Sequence, residues 1–171
     1  MKKILAPLLF TLMAFAPASI ELQTLALLDK VTVGLPGKAS DDDSKGIPMK
    51  KVVMDDGTEF NAFTMDYTTF GMTEEMLRSM AGTEGFKDQM EGMIASQKGM
   101  KLVKNETGKY NEKYTCYDMV LDVDNNEYKG IMYQKMIFYK QYSISLLYRP
   151  GKNGMNEGLK NQVFNSLKIA E

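Results

Sequence analysis

The chain has 171 residues, is 44% hydrophobic and 25% charged, and sets 21 Lys+Arg against 22 Asp+Glu for a formal net charge of -1. That is ordinary for one folded domain, argues against disorder, and leaves no basic excess to hold a nucleic-acid backbone. Histidine is absent and there is one cysteine, Cys116, which excludes His-based catalytic triads, HExxH metal sites, an internal disulfide and a CxxC pair.

Met1-Lys-Lys3, the apolar residues 4–16 and the small residues of Ala16-Pro17-Ala18 predict a secretory signal peptide over 1–18 with cleavage before Ser19. The apolar run is too short for a stable transmembrane anchor. Once Lys2 and Lys3 are removed, 21 basic residues become 19 against 22 acidic ones, a net -3. Residues 19–29 form a lead-in. Ile20, Leu22, Leu25, Leu27 and Leu28 fit neither a helical nor a strand period, so a short turn and a strand both stay open. A single domain is expected over 30–171.

Lys30-Val-Thr-Val-Gly-Leu-Pro36 reads as a strand stopped by its proline and Gly37. Residues 38–48 read as a polar loop, and Asp41-Asp42-Asp43 as its solvated acids, since neighbouring carboxylates splay apart rather than converge on a cation. Residues 50–67 predict a hairpin turning at Asp55-Asp56-Gly57. Residues 73–97 predict the long helix. Thr73 is its N-cap, and Gly82 and Gly85 bend or break it between Ala81 and Phe86. Its stripe of Met76, Leu77, Met80, Phe86, Met90, Met93 and Ile94 is read as a core face.

Residues 101–107 predict a strand turned at Gly108. A meander follows, in three aromatic and β-branched runs at 113–123, 128–139 and 142–148. Asp122-Val-Asp124-Asn-Asn126-Glu127 has the opening of a calcium loop but carries Glu127 where glycine is needed and Tyr133 where the closing glutamate belongs, so it reads as a hairpin turn. Residues 155–165 predict a short C-terminal helix, and 166–169 a brief edge strand. The fold class is α+β, an antiparallel β-sheet of about six strands flanked by the long helix and the short one.

No catalytic, cofactor-binding or metal-binding constellation emerges. Cys116 sits mid-strand, where a lone cysteine behaves as a small hydrophobe. The nine tyrosines lie mostly along strands. Tyr114, Tyr133, Tyr139 and Tyr148 are the candidate interaction surface, because exposed aromatics are enriched at interfaces.

The opening strand ending Leu35-Pro36, the tyrosine-rich meander and the closing Phe164-Asn-Ser-Leu-Lys-Ile169 together resemble the PsbP-like fold family, which includes photosystem extrinsic proteins and exported bacterial proteins of the DcrB type. The resemblance spans about 30–169 and implies an α/β/α sandwich without shared catalytic residues. It implies an exported, non-catalytic binding or assembly accessory in the periplasm or outside the cell, partnered by another envelope protein and needing no cofactor. A small-ligand binder, or a hydrolase working through carboxylates or tyrosines, is the alternative. The sequence sets no oligomeric state.

Overall fold

A computed structural model describes residues 20–43 and 46–170. The leader expected over 1–18 lies outside the described residues. In chain order the elements are β1 (Leu22–Leu28), β2 (Val31–Pro36), β3 (Ser40–Asp42), β4 (Met49–Val53), β5 (Glu59–Asp66), a 3-10 turn (Tyr67–Phe70), α1 (Glu74–Met80) and α2 (Glu84–Ser96), followed by β6 (Met100–Tyr110), β7 (Tyr114–Asp124), β8 (Lys129–Tyr139), β9 (Tyr142–Arg149), α3 (Glu157–Asn165) and β10 (Lys168–Ile169). They form a seven-stranded sheet in the order β3-β4-β5-β9-β8-β7-β6 and a three-stranded sheet in the order β1-β2-β10. The paired strands are antiparallel throughout. The α+β class with a large antiparallel sheet is therefore as expected, with seven strands in that sheet rather than about six.

The lead-in resolves into β1. Its register shifts between Ala26 and Leu28, and that bulge brings Leu28 opposite Val31, on the face Leu25 shares opposite Val33, so a strict two-residue period fails there. The loop expected over 38–48 contains β3, a correction. Its acids are cross-strand partners: Asp41 bonds Lys50 opposite it, and Asp42 lies 3.9 Å from Lys51. At the turn before β5, Thr58 N–H donates to Asp56 at 2.8 Å, and that bond holds the Asp56 carboxyl below its usual range.

The predicted long helix is two helices. Thr73 caps the first, accepting from Met76 N–H at 3.2 Å, and Thr83 starts a second by accepting from Phe86 N–H at 3.2 Å. Leu77, Phe86 and Met90 face the core, whereas Met76 and Met93 point to solvent, so the methionine stripe is narrower than its spacing suggested. The turn expected at Gly108 is also displaced. Gly108 stays in β6 opposite Cys116, and the chain reverses at Asn111 and Glu112, both at positive φ. At the next turn, Asn125 Oδ1 accepts from Glu127 and Tyr128 N–H at 3.0 and 2.9 Å, an Asx-type turn in place of a calcium loop.

The large sheet is covered on both faces. On one face the small sheet and α3 pack Val31, Val33, Leu35, Leu159 and Val163 against Phe60, Ile137, Ile144 and Tyr148. On the other, α1 and α2 pack Leu77, Phe86 and Met90 against Tyr117, Met119 and Phe138. Fully burying side chains of this size contributes about 1.5–3 kcal/mol each. Tyr117, wholly buried, spends its hydroxyl on Ala81 O at 2.6 Å and so fixes the break between the helices.

The small sheet is closed by a joint between β2 and the end of α3. Gly34 N–H donates to Ser166 Oγ at 2.8 Å, and the Ser166 hydroxyl reaches Val163 O at 2.6 Å and Gly34 O at 3.1 Å. A Cβ on Gly34 would lie 2.9 Å from Leu22 Cβ and 3.1 Å from Ser166 Cβ, so the approach needs glycine. Gly34→Ala is expected to lose about 1–3 kcal/mol by overpacking, and Ser166→Ala a similar amount by stranding the buried Gly34 N–H. Urea unfolding of both variants checks this; wild-type stability in either would contradict the joint.

Candidate functional site

The helices cover the sheet unequally. α1 and α2 lie over β7, β8 and β6, while the same face of β4, β5 and β9 carries no helix. There a cavity of about 590 Å³ is floored by the sheet and bounded by Ile94 and Gln97 at the end of α2. Strand register builds its floor. One row runs Lys51, Asn61, Leu147, Gln134 across β4, β5, β9 and β8, and the next sets Glu59 opposite Arg149. Phe63, Met49, Met100 and Leu121 add apolar surface.

Glu59 is the electrostatic hub. It accepts from Asn61 Nδ2 at 2.6 Å and from Arg149 Nη1 at 3.2 Å, with Lys51 Nζ 3.4 Å away. The Arg149 guanidinium also sits 5.2 Å from the Tyr128 ring centre, a cation–π contact. Burial raises the Tyr128 pKa, and the Arg149 charge opposes that shift. Lys51 and Arg149 set against Asp42, Glu59 and Glu127 give a nearly charge-balanced lining. Its hydrogen bonding is incomplete: Asn61 Oδ1 and Arg149 Nε are buried without a hydrogen-bond partner. Asn61 is only 4% exposed, so its orphan acceptor carries a desolvation cost of about 1–3 kcal/mol.

This arrangement can bind through ion pairs, amide hydrogen bonds and apolar contact. Cys116 lies on the opposite face of the sheet, buried, and burial pushes its thiol pKa up, away from the reactive thiolate.

The four tyrosines singled out from the sequence are placed elsewhere, in two pairs. Tyr133 and Tyr148 have ring centres 5.9 Å apart. Tyr148 is fully buried on Phe60, and its hydroxyl oxygen accepts from Asn156 N–H at 2.8 Å. Tyr114 meets Tyr139 edge-on at 5.4 Å, and Tyr139 is buried as well. All four pack against the core beneath the small sheet. Tyr148 therefore presents no open face, because that layer covers it, Tyr139 is 7% exposed, and Tyr114 and Tyr133 stay half-buried. The groove residues carried one sequence signal that was not used: Glu59 and Asn61 interrupt the otherwise apolar face that Phe63 and Met65 continue.

The structure is similar to the solution structure of cyanobacterial PsbP (CyanoP) from Synechocystis sp. PCC 6803, with a TM-score of 0.56 and 11% sequence identity, covering 93% of this chain and 99% of that one. At that identity the likeness shows a PsbP-like fold. No protein-family model matches the chain, and no curated protein matches it.

Burial raises the pKa of Tyr148 and Tyr117 above 10.0. Between 10.0 and the higher folded value the unfolded chain has released protons that the folded chain keeps, so stability is intact below pH 10 and falls as pH climbs through the folded pKa. In an alkaline titration, part of the phenolate absorbance should appear only together with loss of the circular dichroism signal. Ionisation of every tyrosine in the folded protein would contradict the buried placement.

Proposed function

We propose that this chain is an exported, non-catalytic binding or assembly accessory of the bacterial cell envelope, and that the groove over β5 and β9 receives a segment of a partner protein. The observation that carries the reading is Asn61. A buried amide with an orphan acceptor costs stability where an apolar residue of similar volume would not, which fits a position kept for recognition. The half-open shape favours a protruding protein segment, since small ligands are commonly buried to about 70–90% of their surface. The PsbP-like fold supports the reading only as a compatible scaffold. Export rests on the leader pattern of residues 1–18.

A photo-crosslinking residue at Phe63, inside the groove, is expected to capture one protein partner in envelope extract, while the same residue at Val103 on the exposed β6 edge captures none. Asn61→Leu should reduce that capture while changing stability by no more than about 1 kcal/mol in either direction. Equal capture from both positions, or no capture with Phe63, would defeat the partner reading. Stabilisation by a small molecule in a thermal-shift screen would then favour the alternative, a small-ligand binder in the same cavity. The mature protein should begin at Ser19 by intact mass; an unprocessed start at Met1 in the envelope fraction would oppose cleavage.

A further inference from the structure

A second concavity, of about 570 Å³, lies at the hairpin end of the large sheet, away from the groove. Four separated segments deliver cations to it: Lys30 from the β1–β2 turn, Arg78 from α1, Lys109 and Lys113 from the β6–β7 hairpin, and Lys140 from the β8–β9 turn. Among the described residues Glu74 is the one acid in its lining. Among the described residues five basic side chains thus face one acidic side chain there, in a chain whose overall balance is slightly acidic.

Four of these five cations are not spent on structural ion pairs. Lys30, Arg78, Lys109 and Lys140 form none among the described residues. Uncharged groups hold several of them along the wall. Lys109 Nζ donates to Thr115 Oγ1 at 3.0 Å, Lys113 lies 5.2 Å from the Tyr114 ring centre, and Lys140 lies 5.4 Å from that of Tyr139. For Lys109 and Lys140 the contact leaves the positive charge unneutralised while restricting where it sits. A cavity of this volume is about 10 Å across, close to the screening length of about 8–10 Å at physiological salt, so the charges act together on whatever enters.

We propose that this cleft is a binding site for a multivalent phosphate-bearing anion. A carboxylate brings a single charge, whereas a phosphate ester brings about -1.5 to -2 with three acceptor oxygens, and a diphosphate brings more. Several convergent lysines and one arginine match that charge density and number of acceptors. The cleft is recessed, so it takes a phosphate group that projects into it, carried by a soluble molecule or by an anionic lipid headgroup. The site stands independently of the groove, with which it shares no lining residue.

The test uses the purified protein with two probes, inorganic pyrophosphate by calorimetry and phosphatidylglycerol vesicles by co-sedimentation. The variant is Arg78→Glu with Lys140→Glu. Both side chains are exposed and free of ion pairs, so the fold should hold, and circular dichroism checks it. Lys98→Glu, an exposed charge outside the cleft, is the control. The expected result is binding of at least one probe, weakened about tenfold or more by the double variant, unchanged by Lys98→Glu, and lost steeply as salt rises. Pyrophosphate alone marks a soluble ligand, and vesicles alone mark a lipid headgroup; either supports the site. Binding of neither probe, or an equal loss in the Lys98→Glu control, would overturn it.

Discussion

The structure depends on the joint between Gly34 and Ser166. One is near the start of the domain and the other near its end, 132 residues apart, and a single hydroxyl meets both backbone groups of the glycine. Around it β10 pairs with β2, setting Ile169 opposite Val31 and Lys168 opposite Thr32, and Tyr110 donates to Leu167 O at 2.5 Å. These contacts close the long chain into a loop, an entropic cost that must be offset by what they cover. They cover Val31, Val33 and Leu35, all fully buried, and through them the Phe60 and Tyr148 side of the large sheet. Two of the three features that carry the family resemblance, the opening strand and the Phe164–Ile169 close, are the two halves of this joint.

With one face of the sheet sealed this way, the other is left to differ along its width. α1 and α2 cover the β6–β8 side and leave β4, β5 and β9 bare. The groove is thus a consequence of where the helices lie on the sheet. The polar groups lining it are a consequence of the residues that two central strands, β5 and β9, place on the uncovered face. Here core and groove separate: Phe60 and Ala62 serve the core, while their neighbours Glu59 and Asn61 point the other way.

Most of the fold was legible because its signals are local. The Asp-Gly hairpin, the Thr73 cap, the glycine-marked break and the three meander strands each follow from a few adjacent residues. What was not legible depends on distant partners. β3 pairs where Lys50 sits opposite Asp41 and Lys51 lies within 3.9 Å of Asp42, and β6 runs through Gly108 because Cys116 faces it there. The tyrosines had suggested a surface because their alternation shows which ones share a face. Alternation does not show which face receives the covering layer, and that layer comes from both ends of the chain. The groove was hidden for the same reason, since Lys51, Asn61 and Arg149 are joined only by register across three strands.

The central claim is that a partner is held over the bare β5–β9 face, and the abundant methionines offer the most direct measurement of it. Met49 and Met100 line the groove, whereas Met76 and Met155, 46% and 41% exposed, lie outside it. Peroxide footprinting, read residue by residue as sulfoxide, compares the purified protein with the same protein in its own envelope extract. The account predicts that the extract slows oxidation of Met49 and Met100 and leaves Met76 and Met155 unchanged. Protection confined to Met76 or Met155, or no difference at any of the four, would contradict it.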